Sequence, residues 1–251
     1  MLTPWLWLGG SLLLAILWAN LSQIPQRSKR ETPHAAEEAR TDSGALPGWA
    51  LEGLRLVYYV GLPYVALLSG AVVEHHLWPR RGPAEVVGVA RSAGWLAGIG
   101  WAMAIGVGAW LCLAVAWWSH RRALAAVGEQ ANVPRVSGWT LLREAVYREV
   151  HWAFYRNAPI AVLGAYWGTW AGLGVVALEA LLDPGWRGGL ADPRRVLAQL
   201  MHVALAVVSG VLFLETGNLL FAVLVHWGVS WGLAALSRGH AIAPAGSPEP
   251  A

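Results

Sequence analysis

The chain has 251 residues and a formal net charge of +3, with 56% hydrophobic but only 13% charged residues. An ordinary soluble domain carries roughly 25% charged residues, so this composition excludes a soluble globular protein and predicts a membrane protein. The positive charges are scattered over several loops without forming a basic stripe, which argues against nucleic acid as a partner. The single cysteine, Cys112, excludes an intrachain disulfide, and its apolar neighbours predict a buried structural thiol.

Seven apolar stretches are long enough to cross a hydrocarbon core, which takes about 20 helical residues. They predict an all-α fold, a polytopic transmembrane helix bundle of about seven spans in contact with the lipid bilayer. In chain order the stretches are residues 3–21, 49–74, 94–118, 138–157, 159–182, 195–215 and 217–236. The fourth is too polar to face lipid all round, so we expect it inside the bundle.

The polar segments divide the chain into regions. Residues 1–21 form the first helix, which we expect to be retained because no basic segment precedes its apolar run. Residues 22–48 are rich in charge, Pro and Thr and predict a solvated, disordered linker. Residues 49–237 form the bundle, and a disordered tail is predicted over residues 238–251.

Arginine and lysine in the loops predict the orientation. One side of the predicted bundle receives most of them, which places the amino terminus outside and the carboxyl terminus in the cytoplasm. The pair Arg80 and Arg81 lies on the opposite side and is an exception. The expected location is a bacterial inner, cytoplasmic membrane.

The fourth span carries several ionisable side chains at membrane depth, which marks a candidate functional site. Since successive residues in a helix are about 100° apart, one stripe of this span holds Glu144, Arg148, His151 and Tyr155. Glu144 and Arg148 have the i,i+4 spacing of an ion pair. Glu149 and Arg156 lie on a different side, either as a second structural pair or facing a loop.

Two later spans add His202, His226 and Ser230, the last two one helical turn apart. At about 1.5 Å of rise per residue, Glu144 and His202 lie about 10 Å from the cytoplasmic ends of their spans. Arg148, His151 and His226 lie near the midplane. These groups are therefore expected to converge in a water-filled cavity.

Three kinds of chemistry can be weighed for this cluster. Glu144, His202 and His226 are possible zinc ligands, but no His-Glu-x-x-His helix supports a metal, and no cofactor is expected. A serine nucleophile has no Gly-x-Ser-x-Gly turn to carry it. A buried carboxylate can instead activate water as a general base with help from histidine.

The order of these motifs resembles the CPBP family of intramembrane glutamic endopeptidases, which includes CAAX prenyl proteases and Abi bacteriocin-immunity proteins. The family pattern is Glu-Glu-x-x-x-Arg, then Phe-x-x-x-His, then His-x-x-x-Asn. The corresponding segments here are residues 143–148, 198–202 and 226–230, and the Ser209–Leu219 stretch is similar to the family's connection to its last helix. The resemblance covers residues 94–236, which would form a CPBP-like core.

The resemblance implies proteolysis by water that a glutamate and a histidine activate, with Glu144, His202 and His226 central and Arg148 holding Glu144. Arg143 stands where the family has its first Glu, Ala198 where it has Phe, and Ser230 where it has Asn. Ser230 can still donate one hydrogen bond in place of the amide. Because guanidinium stays protonated, the base must be Glu144 or Glu149, unless cleavage has been lost. The substrate or partner would be a membrane protein or peptide.

Two other classes of function remain open. The first is a non-catalytic scaffold, immunity or accessory subunit, in which the polar groups only join helices. The second is a small transporter that uses the same Glu and His side chains as relay groups.

Overall fold

The computed structural model describes residues 3–21, 48–70, 92–129 and 136–239, which are helical and contain no strand. The helices are α1 (Thr3–Leu21), α2 (Gly48–Leu56), α3 (Leu62–Leu68), α4 (Ser92–Ala126), α5 (Gly138–Leu182), α6 (Pro184–Ala191), α7 (Val196–Thr216) and α8 (Leu219–Gly239). Five helical segments are long and apolar enough to cross a membrane, and α1 contributes a shorter apolar one. The predicted all-α transmembrane bundle is confirmed. The predicted linker and tail lie almost wholly outside the described residues.

Helix α5 is a hairpin that reverses at Gly164. Gly164 has φ 76° and ψ 174°, a conformation that glycine adopts without a Cβ clash. A Cβ placed on Gly168 would lie 2.3 Å from the Cα of Ile160, and one on Gly172 would lie 2.7 Å from the Cα of Arg156. Residues that lie the same number of positions before and after Gly164 in the sequence are therefore in contact. We call residues 138–163 the first arm and residues 165–182 the second arm.

The hairpin explains how the longest helix fits a bilayer, since its two arms make two passes. The prediction that a break at residue 158 separates two spans was wrong in position. Pro159 is buried inside the first arm, and the helix continues past it. Proline removes one backbone donor without obliging the chain to turn back, whereas the conformation of Gly164 does turn it.

Between α2 and α3 the chain forms a π-helical turn, Val57–Gly61. Such a turn widens the helix locally and shifts the register of the side chains around it. The rings of Tyr58 and Tyr59, although adjacent in sequence, both contact His151, with centroid distances of 4.9 and 5.1 Å. The π-turn therefore directs two tyrosines onto the first arm.

The first arm is the most buried element, as predicted for the fourth span. Every residue from His151 to Ile160 is buried. Helices α4, α7 and α8 pack on one side of it around Trp152, while α1 and α3 pack on the other around Tyr155. The prediction of a buried thiol was wrong, because Cys112 is exposed on the outer face of α4.

The exposed arginine side chains of the described ranges lie at one end of the bundle, which we call the arginine end. Successive segments alternate in direction along the bundle. The arginine end therefore contains the whole of α6, together with the end of α4 and the starts of α5 and α7. Its arginines are Arg122, Arg187, Arg194 and Arg195. Arg156, in the other half of the first arm, is buried.

Candidate functional site

A carboxylate and an imidazole form a buried pair between the first arm and α8. The Nδ1 atom of His226 lies 2.9 Å from Oε1 of Glu149. Glu149 is 0% exposed and His226 is 5% exposed. A buried ionised carboxylate is costly unless it is hydrogen-bonded, so this contact fixes both groups. We call Glu149 and His226 the dyad.

The other oxygen of Glu149 is also held. The hydroxyl of Ser209 on α7 donates to Oε2 of Glu149, and Nη1 of Arg156 donates to that hydroxyl over 3.1 Å. Glu149 and Arg156 are thus joined through serine, which agrees with the first of the two predicted alternatives, a structural pair, and not with the second, a position facing a loop. The ring of Trp152 stacks on His226 at a centroid distance of 5.4 Å and an interplanar angle of 22°.

The contact with Glu149 determines which nitrogen of His226 is available for chemistry. An ionised carboxylate only accepts hydrogen bonds, so opposite an ionised Glu149 it is the tautomer with the proton on Nδ1 and the lone pair on Nε2 that makes this contact. Within the described ranges Nε2 makes no hydrogen bond. His202, which is partly exposed, is near enough to interact electrostatically with His226. Arg148, also partly exposed, interacts electrostatically with Glu144 and more weakly with Glu149.

Glu144 does not join this site. Its carboxylate lies 2.7 Å from Nη2 of Arg55 and 3.8 Å from Nη2 of Arg143, and Arg143 also contacts Glu52 at 3.3 Å. The predicted ion pair of Glu144 with Arg148 was therefore wrong. Arg55 lies on α2 and is distant from Glu144 in sequence. Its guanidinium is nevertheless closer to Glu144 than the guanidinium of Arg143, which belongs to the same helix as Glu144.

The stripe predicted along the first arm divides between two sites. His151 and Tyr155 face α1, the π-turn and the second arm, away from the dyad. Nε2 of His151 lies 3.5 Å from Oε2 of Glu179 and 3.4 Å from the Tyr58 hydroxyl. That hydroxyl also lies 3.4 Å from the Tyr155 hydroxyl. The second cluster therefore joins four segments of the bundle through hydrogen bonds.

Tyr58 is central to this second cluster, because its hydroxyl contacts groups on α1 and on both arms. We expect Tyr58→Phe to lower the free energy of unfolding by about 1 to 3 kcal/mol, since buried partners lose their hydrogen bond. Thermal unfolding of the purified protein in one detergent measures the change. Tyr64→Phe is the control, because Tyr64 is 57% exposed. Equal stability of the two variants would contradict a structural role for the Tyr58 hydroxyl.

Two further predictions concern Ser230 and a metal. Ser230 makes no hydrogen bond with the part of the chain that the structure describes. No group of three or more His, Cys, Asp or Glu residues in the described ranges is arranged to hold a metal ion. Glu144 in particular pairs with Arg55 and does not meet both His202 and His226 as a zinc site requires.

Several site residues were not predicted. Glu179 is a single carboxylate in an apolar run, and such a residue at membrane depth is itself a signal. Ser209 carries no comparable signal, because serine is common where transmembrane helices pack. Arg156, by contrast, was predicted as a possible structural partner of Glu149, because it lies seven residues later on the same face of the first arm.

Comparison of the chain with protein-family models, with curated proteins and with solved structures finds no match.

Proposed function

We propose that this membrane protein is an intramembrane endopeptidase of the CPBP type in which the dyad activates water. The observation that carries the proposal is the 2.9 Å contact between Glu149 and Nδ1 of His226 inside the bundle. It leaves Nε2 as the base and places a negative charge behind the imidazole. A base oriented by a carboxylate is a recurring arrangement in hydrolases.

The reaction would proceed as general-base hydrolysis of an amide. Nε2 of His226 takes a proton from water while the water oxygen bonds to the peptide carbonyl carbon. Glu149 stabilises the imidazolium that forms, and Arg148 and His202 would stabilise the negative oxygen of the intermediate. His226 then gives the proton to the leaving nitrogen as the carbon–nitrogen bond breaks. The products are a carboxyl group and an amine.

The proposal changes the assignment that the resemblance implied. Glu149 replaces Glu144 as the essential carboxylate, and it acts by orienting His226. His226 keeps the position of the family's last histidine, and His202 that of the preceding one. Residues 143 and 144 form ion pairs with α2 outside the dyad, which supports Glu149 as the essential carboxylate.

The burial of the dyad supports a second candidate function, a non-catalytic membrane scaffold. Glu149 is 0% exposed, and hydrolysis requires that water reach His226. In a scaffold the same hydrogen bonds would only fix the packing of the first arm against α7 and α8. The two functions differ in whether replacing His226 changes any covalent product.

We also propose that the arginine end faces the cytoplasm, as the positive-inside rule favours. The amino terminus would then be outside, because α1 starts at the opposite end. Support comes from the exposed arginines of α6 and the start of α7, with none exposed at the other end in the described ranges. The orientation is tested with the variant Arg187→Cys and a membrane-impermeant thiol reagent. We expect the cysteine to be labelled in opened cells but not in intact cells.

The endopeptidase proposal is tested by comparing peptide termini in membranes that contain the wild type or His226→Gln at equal abundance. We expect new termini within or beside transmembrane segments in the wild type alone. The control is His120→Gln, which alters a histidine at the end of α4 outside the dyad. Identical termini in the wild type and His226→Gln would favour the scaffold.

A further inference from the structure

Arg156 is a buried cation with only part of its hydrogen-bonding capacity used. It is 4% exposed, and Nη1 donates to Ser209. The Nε and Nη2 atoms are buried and have no hydrogen-bond partner among the described residues. The Phe213 ring lies 4.9 Å from Cζ and covers one face of the guanidinium. Leaving two donors of a charged group unsatisfied is costly, so a polar ligand is expected there.

The two unsatisfied atoms belong to one edge of the guanidinium, the edge that binds a single acceptor group with two parallel hydrogen bonds. Arg156 lines a small void together with Trp152, Thr169, Leu173, Val176, Ala206 and Gly210. The void has room for about one water molecule. Its size excludes a carboxylate, a phosphate or a peptide group.

Apart from Arg156 and Thr169 the lining of the void is mostly apolar, and these two side chains favour water over a small anion. The hydroxyl hydrogen of Thr169 is donated to the carbonyl oxygen of Ala165 over 2.7 Å, so Thr169 offers only lone pairs to the void. An anion would find no third donor there, and Glu149, one serine away from Arg156, would repel it. A water molecule can accept from Nε and Nη2 and donate to Thr169, the three bonds typical of buried water.

We propose that this void is a binding site for a single structural water molecule that bridges Arg156 to Thr169. The water joins the two arms of the hairpin between Gly168 and Gly172, where their backbones approach closely. It also holds the guanidinium in the orientation that reaches Ser209 and, through it, Glu149. The proposal does not depend on hydrolytic activity, because a scaffold would need the same bridge.

The water is tested first by diffraction from crystals of the full chain grown in a lipid phase, with and without bromide. We expect an oxygen-sized peak about 2.7 to 3.2 Å from both Nε and Nη2 of Arg156. Absence of density would overturn the proposal. An anomalous bromide signal at that position would also overturn it, because it would identify an anion site.

A stability test gives opposite signs for a filled and a dry void. Ala206→Val adds two methyl groups at the wall of the void and displaces the water, so we expect Tm to fall by about 4 °C or more. A dry void would instead be filled, with Tm unchanged or higher. Ala198→Val is the control for a β-branched residue in α7, because Ala198 is exposed. An increased Tm for Ala206→Val would contradict the water bridge.

A second pair of variants separates a clash from loss of the bridge. Thr169→Val keeps the shape of the side chain but removes the acceptor for the water together with the hydrogen bond to the Ala165 carbonyl, and we expect a lower Tm. Thr169→Ser keeps the hydroxyl, so its Tm should stay above that of Thr169→Val although a methyl group is lost. A Tm for Thr169→Ser at or below that of Thr169→Val would count against the bridge.

Discussion

Glu149→Gln is expected to reduce the rate of peptide cleavage by on the order of 10²- to 10⁴-fold, because losing the carboxylate that orients His226 impairs the base. The amide has the shape of the carboxylate but no negative charge to stabilise the imidazolium of His226. It can also present its NH₂ group to Nδ1, which would leave His226 in the wrong tautomer. The measurement is the rate at which the wild-type-specific termini appear, at equal abundance of folded protein.

Glu144→Gln is the matched control for this experiment, because it makes the same change five residues earlier on the same arm. Glu144 is paired with Arg55, and the two side chains are 24% and 37% exposed. A partly exposed ion pair contributes about 1 kcal/mol or less. We therefore expect less than a tenfold change in rate. Inactivation by Glu144→Gln with normal activity of Glu149→Gln would refute the assignment.

Gly168→Ala is expected to give the largest loss of stability, on the order of 3 kcal/mol or more, because overpacking at a rigid contact cannot relax. The added Cβ would lie 2.3 Å from Cα and 2.5 Å from N of Ile160. Both are backbone atoms of the facing arm, so the arms must separate. Such a separation would also move Arg156, which lies one turn away from Ile160. Chemical unfolding in detergent micelles measures the loss.

Gly174→Ala is the control, since it introduces the same methyl group six residues later on the second arm. A Cβ on Gly174 would have no atom within 4 Å, and the residue is exposed. Alanine has a higher helix propensity than glycine, by about 1 kcal/mol in a helix interior. Stability equal to or above that of the wild type is expected. If both glycine variants are equally stable, the arms do not pack as described.

The number and type of the spans were predictable because a bilayer imposes length and hydropathy on each crossing segment. The position of the reversal in α5 was not. Pro159 is a stronger sequence signal for a break than Gly164, yet the buried contact of Gly168 with Ile160 requires the turn to lie later. Such a contact between two parts of the chain leaves little trace in local propensity.

The site could be predicted only in part for a similar reason. His226 was identified from its motif, and Glu149 was recognised as an alternative to Glu144. The choice between the two carboxylates depended on α2, since Arg55 pairs with Glu144 and leaves Glu149 to His226. Helical periodicity describes which residues share a face, but it does not state which neighbouring helix each face meets.

The most direct test of the account is the protonation of the two ring nitrogens of His226, measured by nuclear magnetic resonance on protein labelled with ¹⁵N-histidine. The resonances of His226 are identified as those that disappear from the spectrum of His226→Gln. We expect a protonated Nδ1 and an unprotonated Nε2 at neutral pH, with this preference lost in Glu149→Gln and kept in Glu144→Gln. A protonated Nε2 in the wild type, with Nδ1 as the acceptor, would contradict the claim that Glu149 prepares His226 as a base.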